Sequence, residues 1–505
     1  MKSEEQLIKK AEQAVRSKKE KVESDYYRLN YHIMPPAGLL NDPNGFIQFD
    51  GDYHLFYQFY PFDTSHGAKF WAHLKSKNLV DWQELPLALA PAQSYESHGC
   101  YSGSAVENQG TLTLIYTGNV KDENNRRETY QCLAVSKDGI NFDKLGPVIE
   151  NQPVGYTRHF RDPKVWKKDD DWYLVIGTQN TEKKGRILLF SSEDLKDWQL
   201  LGEIADSKIN GLNNIYMWEC PDLFTLNGKE ILIGSPQGIK AAGDLYNNIY
   251  QSGYFVGSLN YQTGEFDQQD FAELDRGFDF YAAQTTVDKK GRRILIAWMG
   301  VPDQPENYPE RANGWVHTMT LPRVLELNQD HKLIQKPAAE LKKLRKEEVS
   351  YHNLKLKNEK IELDSISGDS LELIVSFNDL NASSFGVELR ASEDNSQKTV
   401  ITYNSKNEKL TFDKRKSGQG EAGTRSCALK NNGYLKLHFF IDTSSIELFV
   451  NDGEEVFSSR VYPDPASKKI NFFAENGSVK IKEMRKWKLS SVSYTHLTLP
   501  TKRIV

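Results

Sequence analysis

Five short runs of apolar and aromatic residues recur at nearly constant intervals along the first two thirds of the chain. Their first residues are separated by 59, 60, 58 and 63 positions. The runs are Tyr53–Phe59, Leu112–Thr117, Trp172–Thr178, Glu230–Gly234 and Arg293–Met299. The Gly, Asn and Asp residues between them are typical of hairpin turns, so each repeat accommodates about four strands. An all-β sandwich or two small barrels are alternatives, but the even spacing favours a five-bladed β-propeller over residues 31–330.

A weaker repeat follows some of these runs. The segment 77–82 (KNLVDW) matches 193–198 (EDLKDW), and 136–142 (SKDGINF) is a variant of the same pattern. Asn and Asp at such positions favour tight turns. The recurrence of one turn pattern supports a repeat of similar blades.

The rest of the chain has a different organisation. Residues 1–30 are predicted to form an N-terminal helical extension, because Ser3 can cap a helix whose first turn is acidic. Residues 331–347 are predicted to form a short, basic linker. Residues 348–490 alternate polar and apolar positions, with a hairpin signal at 451–453 (NDG), and predict a β-sandwich.

The last segment, residues 491–505, is unlike what precedes it. Residues 493–501 (SYTHLTLPT) are similar to translated sequencing-adapter text, which recurs at the ends of metagenomic proteins. We therefore expect residues 491–505 to be an artefact tail that takes no part in the fold.

Composition excludes several classes of function. With 38% hydrophobic and 26% charged residues, the chain is neither disordered nor a membrane protein. The net charge of −5, from 64 basic and 69 acidic residues, argues against a nucleic-acid partner. Aromatic residues are 11% of the chain, enough to supply strands and to stack on a sugar.

The four cysteines and the N-terminus predict a cytoplasmic location. No two cysteines form a C-x-x-C pair, which argues against a cysteine zinc site, and four are too few for a disulfide scaffold. The first residues contain no apolar stretch of a secretory signal.

Three acidic residues share one phase of the repeat. Asp42, Asp162 and Glu219 stand 11, 10 and 11 residues before the first, third and fourth runs. Equivalent positions in propeller blades point to the central axis, so the three carboxylates are predicted to meet at one mouth of the channel. Neighbouring carboxylates repel one another, which a fold tolerates for a metal site or for acid–base chemistry.

Each of these acids also has an interpretation without function. Asp42 lies in a run of turn formers, Asp162 follows Arg161 and could form a salt-bridged turn, and Glu219 could be a buried, hydrogen-bonded residue. Glu219 stands between Trp218 and Cys220, an apolar setting suited to a general acid. Motifs of zinc peptidases, P-loop proteins, dinucleotide-binding proteins and serine hydrolases are missing from the sequence.

At these acids the chain resembles glycoside hydrolase family 32, the invertase and fructosidase family, over about residues 30–490. The resemblance rests on three blocks, NDPNG at 41–45, RDP at 161–163 and ECP at 219–221. Within the family, segments 31–36, 99–105 and 280–284 are most similar to bacterial enzymes that hydrolyse sucrose 6-phosphate. The implied fold is again the five-bladed propeller followed by a β-sandwich.

The resemblance implies a role for each acid. Asp42 would be the nucleophile, Glu219 the general acid and base, and Asp162, held by Arg161, would stabilise the transition state through fructose hydroxyls. The reaction would be a retaining double displacement, for which we expect the Asp42 and Glu219 carboxyls to lie ~5–6 Å apart.

The resemblance also implies a set of substrate-binding residues. They are Leu39, Leu40, Asn41, Gln58, His66, Trp71, Tyr101, Ser102, Arg161 and Trp298. Trp71 and Trp298 would be aromatic walls, although many family members have Trp where His66 stands. No metal or cofactor is implied, and the expected partner is a small sugar, sucrose 6-phosphate or sucrose, with no nucleic acid and no membrane.

A phosphorylated substrate requires cationic side chains near the channel rim. Arg126, Arg127 and Arg158 are candidates because they lie near the motif loops, although each could be an exposed, solvated charge. Sucrose imported by a phosphotransferase system arrives phosphorylated in the cytoplasm, as the resemblance implies.

Three alternatives stay open at this point. An inverting hydrolase of arabinan or xylan also uses a five-bladed propeller and three carboxylates. A non-catalytic sugar-binding propeller would not require all three acids. A transferase that moves the fructosyl unit to another sugar would differ in how well the acceptor competes with water.

Overall fold

The computed structural model describes residues 3–211, 213–304, 308–492 and 495–496. Five antiparallel sheets follow one another between Gly38 and Pro337. The first holds β1 (Gly38–Phe49), β2 (Asp52–Tyr60), β3 (Phe70–Ser76) and β4 (Trp82–Leu89). The second holds β5 (Cys100–Asn108), β6 (Thr111–Lys121), β7 (Arg127–Ser136) and β8 (Asp143–Ile149). The third holds β9 (Tyr156–Lys168), β10 (Asp171–Asn180), β11 (Gly185–Ser192) and β12 (Gln199–Ala205).

The last two sheets are less regular. The fourth holds β13 (Met217–Leu226), β14 (Lys229–Gln237), β15 (Gly253–Asn260), β16 (Glu265–Gln268) and β17 (Ala272–Glu273). The fifth begins with β18 (Tyr281–Val287) and β19 (Arg293–Met299). The next strand, β20 (Trp315–Val316), instead pairs in parallel with β1 of the first sheet. The fifth sheet is completed by β21 (Thr318–Met319), β22 (Arg323–Leu327) and β23 (Leu333–Pro337).

The first strands of the five sheets close a ring. β1 contacts β5, β5 contacts β9, β9 contacts β13, β13 contacts β18, and β18 contacts β1. The predicted apolar runs lie in the second strands β2, β6, β10, β14 and β19, whose side chains fill the cores between neighbouring sheets. The five-bladed propeller predicted from the repeat is therefore confirmed.

The weaker repeat corresponds to one turn between the third and fourth strands of a blade. In the first blade the Asn78 side chain accepts backbone hydrogen bonds from Val80 and Asp81, and the Trp82 indole donates to the Leu79 carbonyl at 3.1 Å. In the third blade Asp194 and Trp198 make the equivalent bonds. Leu79 and Leu195 both have positive φ, 63° and 69°. The side-chain oxygen thus stabilises the turn by replacing missing backbone partners.

The C-terminal part is one sheet folded over itself. It comprises β24 (Arg345–Ser367), β25 (Leu371–Asn378), β26 (Ser384–Ala391), β27 (Lys398–Asn404), β28 (Lys409–Lys416), β29 (Thr424–Ala428), β30 (Tyr434–Asp442), β31 (Ser445–Val450), β32 (Glu455–Arg460) and β33 (Lys469–Leu489). Residues 469–475 of β33 pair with β26, and residues 480–488 pair with β25. The long strand thereby connects two layers around a common apolar core, the expected sandwich.

Short elements connect these parts. Helix α1 (Glu4–Glu23) starts at a capping box between Ser3 and Gln6 and packs through buried Ala11 and Val22. The 3₁₀ helices span Ser94–Glu96, Pro309–Asn313 and Ala339–Leu344. In the predicted artefact tail, β34 (Thr495–His496) pairs in parallel with β4, and residues 493–494 and 497–505 lie outside the described residues. Among the helices that the structure describes, none is both long and apolar enough to cross a membrane.

Buried charges join the propeller to the sandwich. Arg323 of β22 is fully buried and pairs with Asp275 at 3.0 Å and with Glu447 of β31 at 2.7 Å. His32, also buried, lies between Asp442 at 2.9 Å and Glu447 at 3.1 Å. Because a buried charge without its partner is costly, this network ties the two parts together.

Candidate active site

The innermost strand of each blade carries a β-bulge at an equivalent position. The register shifts lie between Leu40 and Pro43, Tyr101 and Gly103, Arg161 and Lys164, Glu219 and Asp222, and Tyr281 and Gln284. In three blades the bulge includes a residue with positive φ, 69° at Asp162, 46° at Cys220 and 53° at Ala282. A bulge changes the direction of the side chains that it carries, and here residues at the five bulges are linked by hydrogen bonds around the acids.

Asp42, on the bulge of β1, is buried and strongly hydrogen bonded. Its Oδ2 accepts a hydrogen bond from Ser102 Oγ at 2.5 Å and another from Gln58 Nε2 at 3.3 Å. Burial raises the pKa of Asp42, the Ser102 bond opposes that rise, and the charge of Glu219 adds to it. The donors thus favour the ionised form in a site that otherwise disfavours charge.

Asp162, on the bulge of β9, faces the next blade. Its Oδ2 accepts a hydrogen bond from the backbone N–H of Cys220 at 3.1 Å. Burial raises the pKa of Asp162 to about 7; Arg161 opposes the rise, and Glu219 and Asp42 reinforce it. Near neutral pH this carboxyl can therefore exist in both protonation states.

Glu219 of β13 is held by three side chains. Arg161 donates to Oε1 from Nε at 3.0 Å and from Nη2 at 2.6 Å. Gln237 Nε2 and the Tyr281 hydroxyl each donate to Oε2 at 2.8 Å. The immediate surroundings are therefore polar, unlike the apolar setting expected from the sequence neighbours. The difference arises because the side chain of Trp218 is fully buried in the core between blades, away from Glu219.

Arg161 also departs from its expected place. Its guanidinium bonds to Glu219 of the next blade, while its nearest approach to Asp162 is 4.0 Å. The positive φ of Asp162 directs that carboxylate to the Cys220 N–H instead. Arg161 thus lies near two of the acids and links the third blade to the fourth by an ion pair.

Cys220 lies between two of the acids. Its Sγ is 3.7 Å from Asp42 Oδ2 and 3.7 Å from Asp162 Oδ2. Burial, followed by the charges of Asp162 and Asp42, raises the pKa of this thiol, so it stays protonated and can donate weakly to either carboxylate. With Arg161 on the other side, these contacts bring Asp42, Asp162 and Glu219 into a single cluster.

Three of the predicted binding residues form a chain of hydrogen bonds behind Asp42. Asn41 Nδ2 donates to Gln58 Oε1 at 3.0 Å, and Gln58 Nε2 donates to both Ser102 and Asp42. All of these side chains are buried. The chain fixes the orientation of the Asp42 carboxylate from the side of the first and second blades.

Four other predicted binding residues have buried side chains. Leu39 and Leu40 are fully buried in apolar clusters, and Trp71 is fully buried with its indole donating to the Tyr101 carbonyl at 3.1 Å. Trp298 is also buried and packs edge-on against Tyr281, with ring centroids 6.1 Å apart.

The two remaining predicted residues, His66 and Tyr101, are more accessible. His66 is exposed and close enough to Lys69 and Arg311 to be influenced by both charges. Tyr101 is half-buried, and the Arg127 guanidinium lies over its ring at 5.5 Å.

The three arginines considered for a phosphate differ in position. Arg126 is largely exposed and pairs with Asp122 at 2.6 Å. Arg158 is half-buried, and its backbone carbonyl accepts a hydrogen bond from Thr129. Arg127 is half-buried; burial and the nearby Arg161 charge lower its pKa, and the Glu219 and Asp162 charges oppose that change. Arg127 is therefore the one of the three shown to lie close to the acid cluster.

Sequence reasoning did not single out Gln237, Tyr281 or Lys69. Tyr281 stands 12 residues before the start of the fifth run, close to the phase of the acids, and that spacing could have identified it. Gln237 ends an ordinary apolar strand, and Lys69 lies in a loop with no repeat partner. Within the described parts of the chain, no group of three or more His, Cys, Asp or Glu side chains is arranged to hold a metal ion.

Comparisons with known proteins identify the family of this chain. The family model of the glycosyl hydrolases family 32 N-terminal domain matches residues 32–337, and that of the glycosyl hydrolases family 32 C terminal matches residues 340–488. The sucrose-6-phosphate hydrolase of Bacillus subtilis is 46% identical over 94% of this chain and 97% of its own. The sucrose-6-phosphate hydrolase of Salmonella typhimurium is 44% identical over 89% of this chain and 92% of its own.

Solved structures show the same similarity. The structure of sucrose-6-phosphate hydrolase from Lactobacillus gasseri has a TM-score of 0.86 at 34% identity, covering 95% of this chain and 97% of that one. A Bombyx mori GH32 beta-fructofuranosidase, solved as a mutant in complex with sucrose, has a TM-score of 0.81 at 36% identity, covering 96% of this chain and 98% of that one. The chain belongs to glycoside hydrolase family 32.

Proposed function

We propose that this glycoside hydrolase cleaves the fructosyl bond of sucrose 6-phosphate, and of sucrose, with retention of configuration at the anomeric carbon. The observation that carries the proposal is that two carboxylates of one cluster are hydrogen bonded by two different sets of side chains. Asp42 is bound by Gln58 and Ser102 of the first two blades, whereas Glu219 is bound by Arg161, Gln237 and Tyr281 of the third, fourth and fifth blades. Two carboxylates with separate supports suit separate roles.

In the first step, an Asp42 oxygen forms a bond to the anomeric carbon of the fructosyl unit as the bond to the glucosyl oxygen breaks. Glu219 gives its proton to that departing oxygen. In the second step, Glu219 takes a proton from water, the water oxygen bonds to the anomeric carbon, and the ester to Asp42 breaks. We expect the two carboxyls to be ~5–6 Å apart, the separation that retention requires.

Asp162 would position the sugar, together with the hydrogen-bonded residues Asn41, Gln58 and Ser102 that support Asp42. A carboxyl with a pKa of about 7 can accept from or donate to a sugar hydroxyl near neutral pH. Arg161 would reduce the electrostatic repulsion among the three carboxylates, because its positive charge lies close to two of them.

The phosphate would be bound by Arg127. Its guanidinium lies over the Tyr101 ring, near Glu219, the residue that protonates the departing glucosyl oxygen. Among the described residues, no carboxylate lies within ion-pair distance of Arg127, so its charge is available to an anion on the glucosyl unit. A phosphorylated substrate and four free thiols both fit a cytoplasmic enzyme.

The test compares kcat/KM for sucrose 6-phosphate and sucrose on the wild type, Arg127→Ala and Arg126→Ala. Loss of a charged hydrogen-bond partner costs ~1.5–3 kcal/mol, so R127A should lose about 10- to 100-fold on sucrose 6-phosphate. Activity on sucrose should stay within about 3-fold, because that substrate has no anion for Arg127 to bind. Arg126→Ala removes the adjacent arginine, which is exposed and paired with Asp122, and should change neither substrate.

Equal losses on both substrates would exclude Arg127 as the phosphate ligand. The anomer of fructose released first, followed by NMR, decides between retention and inversion. Inactivity of the folded wild type on both substrates would favour the non-catalytic sugar-binding alternative, and accumulation of fructosylated sugars would favour the transferase.

A further inference from the structure

Lys69 is a buried lysine at the contact between the first two blades. It precedes β3, its side chain and backbone are 2% exposed, and within the part of the chain that the structure describes its Nζ has no hydrogen-bond acceptor. The backbone is fixed here, because the Lys69 carbonyl accepts from the Cys100 N–H at 2.9 Å and Gly99 packs against the Lys69 nitrogen. A Cβ at residue 99 would lie 2.8 Å from that nitrogen. The position of Lys69 is therefore set by close packing between the first two blades.

The charge that favours the Lys69 ammonium is the carboxylate of Asp42. Burial lowers the pKa of Lys69 to about 7, and Asp42 opposes that effect. In return, Lys69 is one of the groups that oppose the raised pKa of Asp42. The Lys69 charge also lowers the pKa of the exposed His66, so Lys69 lies close to both His66 and Asp42.

Other polar atoms in the same region also have no partner among the described residues. They are Asn41 Oδ1, Trp298 Nε1 and His317 Nε2. The Trp298 and His317 rings are 5.0 Å apart, and His317 Nδ1 lies 3.2 Å from the Leu40 carbonyl, next to Asn41 and Asp42. Buried donors and acceptors are normally satisfied, so a group of unsatisfied ones beside a nucleophile indicates the place of a polar ligand.

We propose that Lys69 is a substrate-binding residue of the fructosyl pocket, whose ammonium donates to a fructosyl hydroxyl and whose charge favours the ionised Asp42 nucleophile. This inference rests on the proposed function, in which Asp42 attacks the fructosyl unit. An ammonium has three donors and no acceptor, which matches hydroxyl oxygens of a sugar. A buried ammonium also acts on Asp42 more strongly than an exposed one would, because water does not screen it.

Two other roles for Lys69 make different predictions. A residue that only supports the fold would lower stability when it is replaced. A ligand of the substrate phosphate would affect sucrose 6-phosphate and leave sucrose unchanged.

The experiment replaces Lys69 by Met, which keeps the length of the side chain and removes its charge. Lys75→Met is the matched control, because Lys75 lies on β3, is 30% exposed and pairs with Asp52 at 3.4 Å. For each enzyme, kcat/KM is measured on sucrose and on sucrose 6-phosphate across pH, together with Tm.

We expect K69M to lose about 10- to 100-fold in kcat/KM on both substrates by the same factor, because both carry the same fructosyl unit. The acid limb of kcat/KM should move to higher pH, since removal of a nearby positive charge raises the pKa of Asp42. Tm should stay the same or rise, because a buried unpaired charge is removed.

The shift of the acid limb of kcat/KM reports the effect of the Lys69 charge on Asp42 separately from other charges. Asp42 also faces Glu219, Asp162, Cys220 and Tyr281, and K69M alters none of them. A second variant, Lys69→Gln, keeps a donor without the charge. It should show the same shift of the acid limb with a smaller loss of kcat/KM.

Several results would overturn the inference. They are a K69M enzyme equal to K75M, a loss confined to sucrose 6-phosphate, or a fall in Tm that accompanies the loss of activity in both variants at Lys69. A wild type that hydrolyses neither substrate would instead overturn the proposed function. The two failures are therefore distinguishable in one set of measurements.

Discussion

The hydrogen bond from Ser102 to Asp42 provides a quantitative test of the nucleophile. Ser102 is buried, and its hydroxyl donates to Asp42 Oδ2 at 2.5 Å. Burial raises the pKa of Asp42, and this bond is the largest of the effects that oppose the rise. Ser102→Ala removes the donor, so the pKa of Asp42 should rise further. Since the proposed attack on the sugar requires the ionised carboxylate, kcat/KM should begin to fall at a higher pH than in the wild type.

The size of the shift follows from the energy of such a bond. A hydrogen bond to a charged group contributes ~1.5–3 kcal/mol, and a change of one pKa unit corresponds to ~1.4 kcal/mol. The acid limb of kcat/KM should therefore move up by ~1–2 pH units. Asp162 and Glu219 lie in the same cluster, so the limb reports an apparent value for the coupled group.

The assay is the pH dependence of kcat/KM on sucrose for the wild type, S102A and Ser104→Ala. Ser104 is a buried serine of the same strand β5, but its hydroxyl accepts from the Val165 N–H and, among the described residues, bonds to no carboxylate. Ser104→Ala should leave the acid limb in place, whatever its effect on stability. If S102A lowered the plateau without moving the limb, the bond would not be stabilising the ionised nucleophile and the reasoning would be refuted.

Three further substitutions test the mechanism and the assembly. Asp42→Asn should reduce kcat at least about 10³-fold, with Tm unchanged or higher because one of three repelling carboxylates is neutralised; near-normal turnover would contradict its role. Glu219→Gln should spare fructosides with activated leaving groups, which need no general acid, and equal losses on activated and ordinary substrates would contradict that role. Arg323→Met removes the cation that pairs with the buried carboxylates of Asp275 and Glu447, so urea denaturation should show a loss of ~3–5 kcal/mol in the free energy of unfolding. Unchanged stability would show that the network does not join the two parts.

The repeat carried most of the information about the fold. Because every blade buries its second strand, those five strands are continuous apolar runs, and their spacing alone predicts the number of blades. The innermost strands precede the apolar runs by a nearly constant number of residues. Asp42, Asp162 and Glu219 lie on those strands, so their similar distance from the runs allowed them to be selected together. The long β33, which joins both layers of the C-terminal sheet, has no such repeat, so the course of that sheet could not be predicted.

Contacts between blades could not be predicted from local sequence. Arg161 is adjacent to Asp162 in the chain, yet it bonds to Glu219, 58 residues away. Gln237 and Tyr281 reach the same carboxylate from two different blades. The burial of Lys69 could not be predicted from the sequence, because a single lysine in a loop is normally exposed to water. It is packing between two blades that buries this side chain.

The ring of five equivalent bulges has a consequence for how this architecture can change. Two of the acids, Asp42 and Asp162, lie within the bulges of their blades, and the third, Glu219, is the last paired residue before the bulge of the fourth blade. The second and fifth blades present Ser102 and Ala282 at their bulges. A change at a bulge acts on the acid of the neighbouring blade, because Ser102 donates to Asp42, the Cys220 N–H donates to Asp162, and Tyr281 donates to Glu219. The acids of this scaffold can thus change only together with the bulge of the adjoining blade, two blades at a time.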